Sequence, residues 1–312
     1  MLDILRELMS IESPSGKEDE LRNYIRDFLR NEGFTPETDD AGNLVLEGRS
    51  DLWFVTHLDT VEVISEFRVD GSYAYGTGVA DAKGSIAAML SAVMNFDDLN
   101  VGFAFLVDEE EGGSGSRYFS ENFSGRAVVM EPTELKTAEK QLGSAEVILE
   151  FRGRAVHGAY WDRGENAIEK AIEEISKLRK RYRFSIQEFS GGSNLYAVPD
   201  RCRVRLSFIF DSDTDISTVK RDLESINGEF EFFDFYEPIE CDVIEEVERY
   251  SKGRIVMHSW TDAYHFKKNG WKVTIWGPGD LIDCHTERER VSLREIQEAS
   301  QIIERVNREV VC

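Results

Sequence analysis

The spacing of apolar positions changes along this chain, and the changes divide it. Residues 2–11 and 18–31 read as helices, separated by the turn Ser13-Pro-Ser-Gly16. In the second, Leu21, Ile25, Phe28 and Leu29 share one face at helical spacing, and Gly33 ends it. Short apolar runs follow. Residues 44–47 and 52–56 read as strands, VGFAFLV (101–107) as a buried strand and RAVVM (126–130) as another. Between them, the run IAAMLSAVM after Asp81-Ala-Lys-Gly84 reads as a helix beginning at the carboxylate. This alternation predicts an α/β fold with a mostly parallel sheet and helices on both faces.

After about Gln141 the order changes. Strand 146–152, helix 167–181, strands 184–189 and 203–210, helix 216–226 and strand 230–235 make the βαββαβ series of a ferredoxin-like module. From about Glu237 the first pattern resumes, with WKVTIW (271–276) as a strand and a last helix over 293–306. The expectation is one domain of residues 1–141 plus 237–312, interrupted by an inserted module of residues 142–236.

Composition narrows the function classes. The chain has 312 residues, 41% of them hydrophobic and 31% charged, which suits a globular protein. It lacks the run of roughly eighteen apolar residues that a membrane helix requires. The N-terminal MLDILRELMSIES carries acids inside its apolar run and no small-residue cleavage site, so it reads as an amphipathic helix and not a signal peptide. A cytoplasmic location is expected. Sixty acidic residues against 37 basic ones give a net charge of −23, which argues against nucleic acid as a partner. Such acidity fits a solvated surface and also draws cations toward a cleft. Cys202, Cys241, Cys284 and Cys312 are scattered without a CxxC pair and read as reduced thiols. Cys284, although it adjoins His285, is expected to be a structural neighbour. One basic cluster stands out: Lys177, Arg179, Lys180, Arg181 and Arg183. It is either favourable charge at a helix C-terminus or a docking patch for an acidic partner.

The candidate chemistry lies in His57-x-Asp59, Asp81, Glu109-Glu110, Glu131 and His285, each beside a strand end or a glycine-rich turn. Zinc takes histidine nitrogen and carboxylate oxygen where thiolates are absent. Two histidines and three carboxylates can hold two zinc ions if one carboxylate is shared, leaving a glutamate to act on water. Singly, each residue has a plainer reading. Asp81 suits a helix N-cap, DEEE suits an acidic loop, and most H-x-D pairs are incidental. Asp59 could accept the second N–H of His57. Pro132 holds Glu131 extended. As a set, His57, Asp81 and Glu131 would serve one ion and Asp81, Glu110 and His285 the other.

The series HLDTV, GTGVADAKG, DEEEGGSGS and EPT, in this order, resembles the co-catalytic zinc aminoacylase and carboxypeptidase family, over nearly the whole chain. That family includes acetylornithine deacetylase and succinyl-diaminopimelate desuccinylase. Within it, GPGDLIDCHTERERVSL (277–293) is similar to archaeal lysine-biosynthesis members, which remove an N-acyl group or a carrier protein from the α-amine of lysine or ornithine. The resemblance implies two Zn²⁺, with Co²⁺ able to substitute, held by the two sets above. It implies that Glu109 is the general base and Asp59 the aspartate that orients a histidine. It further implies that His157, in GRAVHGAY, reaches the active site of a partner subunit and stabilises the oxyanion, hence a homodimer. A small N-acyl amino acid and an acidic amino-group carrier protein are the implied partners.

The chain departs from the family in places. Ser207-Phe208-Ile209 stands where members often carry Asp-hydrophobic-Arg, and Asn194 lies two residues ahead of the usual asparagine position. Arg201, Arg203 and Arg205 share the strand face of position 209. Asn194 and Arg205 are taken as the substrate contacts. His258 and His265 match no family ligand and read as structural. Three other readings compete. A dipeptidase or carboxypeptidase would use the same chemistry. A phosphoesterase would need basic residues near the ligands, and only Lys83 is close in sequence. A non-catalytic dimeric binding module would not need Glu109 together with every ligand.

Overall fold

The computed structural model describes residues 1–226 and 228–310. The chain divides into two compact units. The first comprises Met1–Gln141, Glu240–Met257 and the chain from Thr261 onward; the second comprises Leu142–Ile239 with His258–Trp260.

The first unit is built on a six-stranded sheet in the order Glu37–Thr38, Leu44–Leu46, Gly102–Leu106, Leu52–His57, Arg126–Val129, Lys272–Ile275. The last four run parallel, and the first two join antiparallel at one edge. The sheet is therefore mostly parallel, as the alternation predicted, with an antiparallel edge. The reversal is local: the Asp39 carboxylate accepts the amides of Ala41 and Asn43, and Gly42 sits at φ +97°, closing a tight hairpin.

Strand Leu52–His57 is buried along its whole length, so both faces must be covered. Leu52 and Phe54 join the core formed with helices Leu2–Met9, Asp19–Asn31, Gly84–Val93 and Leu293–Glu309. Trp53 points the other way and meets Phe119 edge-on at 5.1 Å, beneath helices Ser114–Asn122 and Ala263–Lys268. Gly102 lies beside it on the neighbouring strand; a Cβ there would come within 2.3 Å of the indole. A second, three-stranded antiparallel sheet joins Arg68–Asp70, Tyr73–Tyr75 and Arg290–Ser292. Its strands of three residues each are too short to show in the apolar pattern.

In the second unit, strands Gly143–Arg152, Phe184–Gly191, Arg201–Phe210 and Glu229–Tyr236 form an antiparallel sheet, with Arg201–Phe210 and Gly143–Arg152 at its centre. Cys202, Val204, Leu206, Phe208 and Phe210 alternate into a core with Ala171, Ile175 and Leu178 of one helix and Val219 and Leu223 of another. The first of these helices, Ala167–Leu178, is capped by Asn166, whose side chain accepts the Ile168 amide at 3.0 Å. It ends three residues short of the expected boundary, so only Lys177 of the basic cluster is helical. Cys202, Cys241 and Cys284 are free thiols, and Cys312 lies outside the described residues. Among the described residues, no helix is long and apolar enough to cross a membrane.

Candidate metal centre

The parallel strands of the first unit deliver the candidate residues at their C-terminal ends, the edge at which open α/β sheets bind ligands. His57 is the last residue of its strand. Glu109 and Glu110 follow Leu106 after Val107 and Asp108, and Glu131 follows Val129 after Met130. His285 comes from the loop after strand Lys272–Ile275. Asp81 lies in the irregular turn Val79–Lys83, where it and Ala82 leave helical backbone angles. The helix itself runs Gly84–Val93. Asp81 therefore does not cap that helix, contrary to the plainer reading; its carboxylate meets His57 Nε2 at 2.9 Å instead.

Two groups of side chains converge. One ligand atom from each of His57, Asp81 and Glu131 lies within 4.8 Å of the others, and the same holds for Asp81, Glu110 and His285. His285 Nε2 stands 3.2 Å from Glu110 Oε1 and 3.4 Å from Asp81 Oδ2, so Asp81 links the groups. His57 Nδ1 donates to the Asp59 backbone carbonyl at 2.8 Å, which turns Nε2 toward the centre. His285 and Asp108 hold left-handed backbone angles, φ +60° and +66°, in the loops that carry the ligands.

The electrostatics are those of crowded acids. Burial pushes Glu109 well above the usual carboxylate range, and neighbouring Glu131 and Glu110 push it further against the pull of His57. Burial likewise raises Glu131 well above that range and raises Glu110. Asp81 goes the opposite way: burial opposes its ionisation, but hydrogen bonds to His285 and His57 win and lower it. Burial disfavours the His57 cation, yet hydrogen bonds to Asp59 and Asp81 hold it well above its ordinary value. His285 is raised to about 10 by hydrogen bonds to Asp81 and Glu110.

Asp59 meets His57 as expected of its neighbour, with its backbone carbonyl 2.8 Å and its carboxylate 3.6 Å from Nδ1. The carboxylate also accepts the amides of Glu109 and Glu110, each at 3.0 Å, and the Ser15 hydroxyl at 2.7 Å. It thus fixes the main chain of both glutamates. Cys284 is buried, its thiol pushed up by burial, and it donates to the Asp280 carbonyl as a structural neighbour does. Two buried acids escaped the sequence reading: Asp262, raised to about 7 by burial, and Glu289, whose carboxylate accepts three backbone amides.

The remaining candidates belong to the second unit. His157 is exposed, its ring 5.5 Å from that of Tyr196, with Nδ1 accepting the Ala159 amide. Asn194 is exposed in the loop before strand Arg201–Phe210. Arg205 is ion-paired with Glu146 on the open face of the sheet, so it is already engaged; Arg201 and Arg203 on that face carry no ion pair among the described residues.

The donor set fits divalent cations. Among the described residues, no lysine or arginine ion-pairs with Asp81, Glu109, Glu110 or Glu131, although three of these four are buried. Glu131 Oε1 is buried with no hydrogen-bond partner among the described residues. Uncompensated buried carboxylates are costly, and cations between them remove that cost. Histidine nitrogen and carboxylate oxygen, shared through Asp81, form the donor set of a two-metal hydrolase.

The fold and this centre together define a metal-dependent hydrolase. The chain belongs to Peptidase family M20/M25/M40, whose sequence profile matches residues 53–309. The LysW-lysine/LysW-ornithine hydrolase of Sulfurisphaera tokodaii is 26% identical, over 94% of this chain and 91% of its own. A tripeptidase from Staphylococcus aureus shares the fold at a TM-score of 0.81 and 21% identity, covering 99% of this chain and 98% of its own. A metallo-carboxypeptidase of the same family from Sulfolobus solfataricus superposes at a TM-score of 0.78 with 16% identity, covering 98% of both chains.

Proposed function

We propose that this hydrolase releases lysine or ornithine from an N-acyl precursor, acetylated or linked to a carrier protein, in amino-acid biosynthesis. The observation that carries the reading is Glu109: a buried acid beside both ligand groups, on a main chain clamped by Asp59. His57, Asp81 and Glu131 would hold one Zn²⁺ and Asp81, Glu110 and His285 the other, with Co²⁺ able to substitute. When bound, the ions supply Lewis acidity to the amide carbonyl and to the attacking water. A Glu109 carboxylate oxygen takes a proton from that water as its oxygen bonds to the amide carbon. As the C–N bond breaks, Glu109 passes the proton to the leaving amine nitrogen. His157 of a partner subunit donates to the developing oxyanion, so the working form is a homodimer.

Carrier-linked substrates are supported by relatives named LysW-lysine/LysW-ornithine hydrolase, which match nearly the full chain. The basic cluster supplies a surface for an acidic carrier. Lys177 is spent on Glu173 and Glu174, and Arg181 on Asp222, while Lys180 and Arg183 carry no ion pair among the described residues. A dipeptidase or carboxypeptidase is the rival within the same chemistry. The test is amine release from Nα-acetyl-lysine, Nα-acetylornithine, carrier-linked lysine and a dipeptide panel, using the wild type and a Lys180→Glu/Arg183→Glu variant. The expected outcome is turnover of acyl-lysine or acyl-ornithine above the dipeptides, with the variant weakened only on the carrier-linked substrate. Preference for dipeptides would replace the reading with a peptidase, and equal activity of the variant on both lysine substrates would remove the docking role.

A further inference from the structure

The loop that carries Asp81 is held from the far end of the chain. Glu289 is 1% exposed, and its Oε1 accepts the amides of Ala80 at 3.0 Å and Asp81 at 3.2 Å while Oε2 accepts that of Gly78 at 3.0 Å. Its backbone carbonyl also accepts the Gly76 amide at 3.3 Å. Strand Arg290–Ser292 pairs with Tyr73–Tyr75 and so brings residue 289 against residue 76. The loop is buried, with Val79 and Ala80 in the core, so the amides it presents must find acceptors inside the protein. Gly78 sits at φ +77°, and a Cβ there would come 2.4 Å from Thr60 Cγ2.

Glu289 also lies four residues beyond His285. The five-residue segment 285–289 thus bears one ligand of the second group at one end and grips the loop of the shared ligand at the other. The other ligands are anchored separately: His57 ends a buried strand, Glu131 follows one, and Asp59 holds the main chain of Glu110.

Resting on the reading of the two groups as a two-cation centre, we propose that Glu289 is a positioning residue that sets Asp81 relative to His285, and so governs retention of the cation held by Asp81, Glu110 and His285. Removing its side chain leaves three buried donors without their acceptor, and the loop must move to satisfy them. A glutamine retains an acceptor for Ala80 and Asp81 but turns an NH₂ donor toward the Gly78 amide, so it restores the loop in part.

The test is a Co²⁺ titration of metal-stripped wild type, Glu289→Ala, Glu289→Gln and, as a control in the same segment, exposed Glu287→Gln. Bound cobalt is counted by equilibrium dialysis and its environment followed by visible absorption. The first ion shares Asp81 but keeps the separately anchored His57 and Glu131, so it is expected to weaken less than the second in the Glu289 variants and to bind Glu287→Gln unchanged. The second is expected to bind Glu289→Ala roughly 10- to 100-fold more weakly, the usual cost of losing a partner behind the ligands, Glu289→Gln less so, and Glu287→Gln unchanged. If Glu289→Ala does not fold, Glu289→Gln carries the comparison. Equal weakening of both ions, or two ions held as tightly as in the wild type, overturns the proposal. A wild type that binds only one ion refutes the two-cation reading beneath it. A wild type that binds two yet releases no amine refutes the proposed reaction and leaves the role of Glu289 standing.

Discussion

Glu109, Glu110 and Glu131 act on one another and on Asp81 at close quarters, and without cations the folded chain relieves their repulsion with protons. Burial raises Glu109 and Glu131 well above the usual carboxylate range, so the fold favours their neutral forms and their contribution falls as pH rises. His285, raised to about 10 by Asp81 and Glu110, stabilises the fold as a cation; that contribution is lost as pH climbs through about 10. His57, also raised, has the same sign. Asp59 and Asp81 are lowered, so their contributions stay constant above the usual carboxylate range. The Tm of chelator-stripped protein is therefore expected to fall between about pH 5 and about pH 8, with the slope flattening once Zn²⁺ is restored. Differential scanning calorimetry checks this, and a metal-free Tm that is flat or rising over that range contradicts it. The ligands were legible in the sequence because metal chemistry demands particular residue types. The clamps were not: the carboxylates of Asp59 and Glu289 act on backbone amides, which leave no mark in the residues they hold, and Glu289 sits in a run, ERER, that reads as surface charge.

At the scale of elements, strands with long apolar runs were readable and short ones were not. LWFV and GFAFL announce buried strands, and their C-terminal ends announce His57 and Glu109. The sheet of Arg68–Asp70, Tyr73–Tyr75 and Arg290–Ser292 gives no such signal, yet it brings Glu289 to the Asp81 loop. The helix read as starting at Asp81 starts at Gly84 because the preceding turn is drawn out of helical angles. Packing behind the centre sets a further expectation. The indole of Trp53, wedged against Phe119 and Phe123, occupies the space of a side chain at Gly102. Gly102→Ala should destabilise the protein by about 1–3 kcal/mol through overpacking. The midpoint of urea unfolding measures this, and metal content per folded molecule should not change. A loss under about 0.5 kcal/mol, the size of an ordinary surface change, would mean the indole yields freely.

Across the whole molecule, the net charge of −23 excluded a basic nucleic-acid footprint, but it said nothing of where cations bind. That information came from order along the chain: His57, Glu109-Glu110, Glu131 and His285 are spread over more than two hundred residues and meet because four parallel strands end at one edge, where the turn Val79–Lys83 adds Asp81. The βαββαβ order of the second unit was visible in its periodicity. Amide hydrolysis at this edge, with bound metal and Glu109 as base, is tested by measuring lysine and ornithine release from their N-acyl forms by wild type and Glu109→Gln, each with its metal content determined, before and after EDTA and after Zn²⁺ is restored. EDTA should abolish and Zn²⁺ restore wild-type release, while Glu109→Gln should keep its metal and lose roughly 10²- to 10⁴-fold in kcat. Release that survives EDTA, or a metal-loaded Glu109→Gln with wild-type kcat, contradicts it.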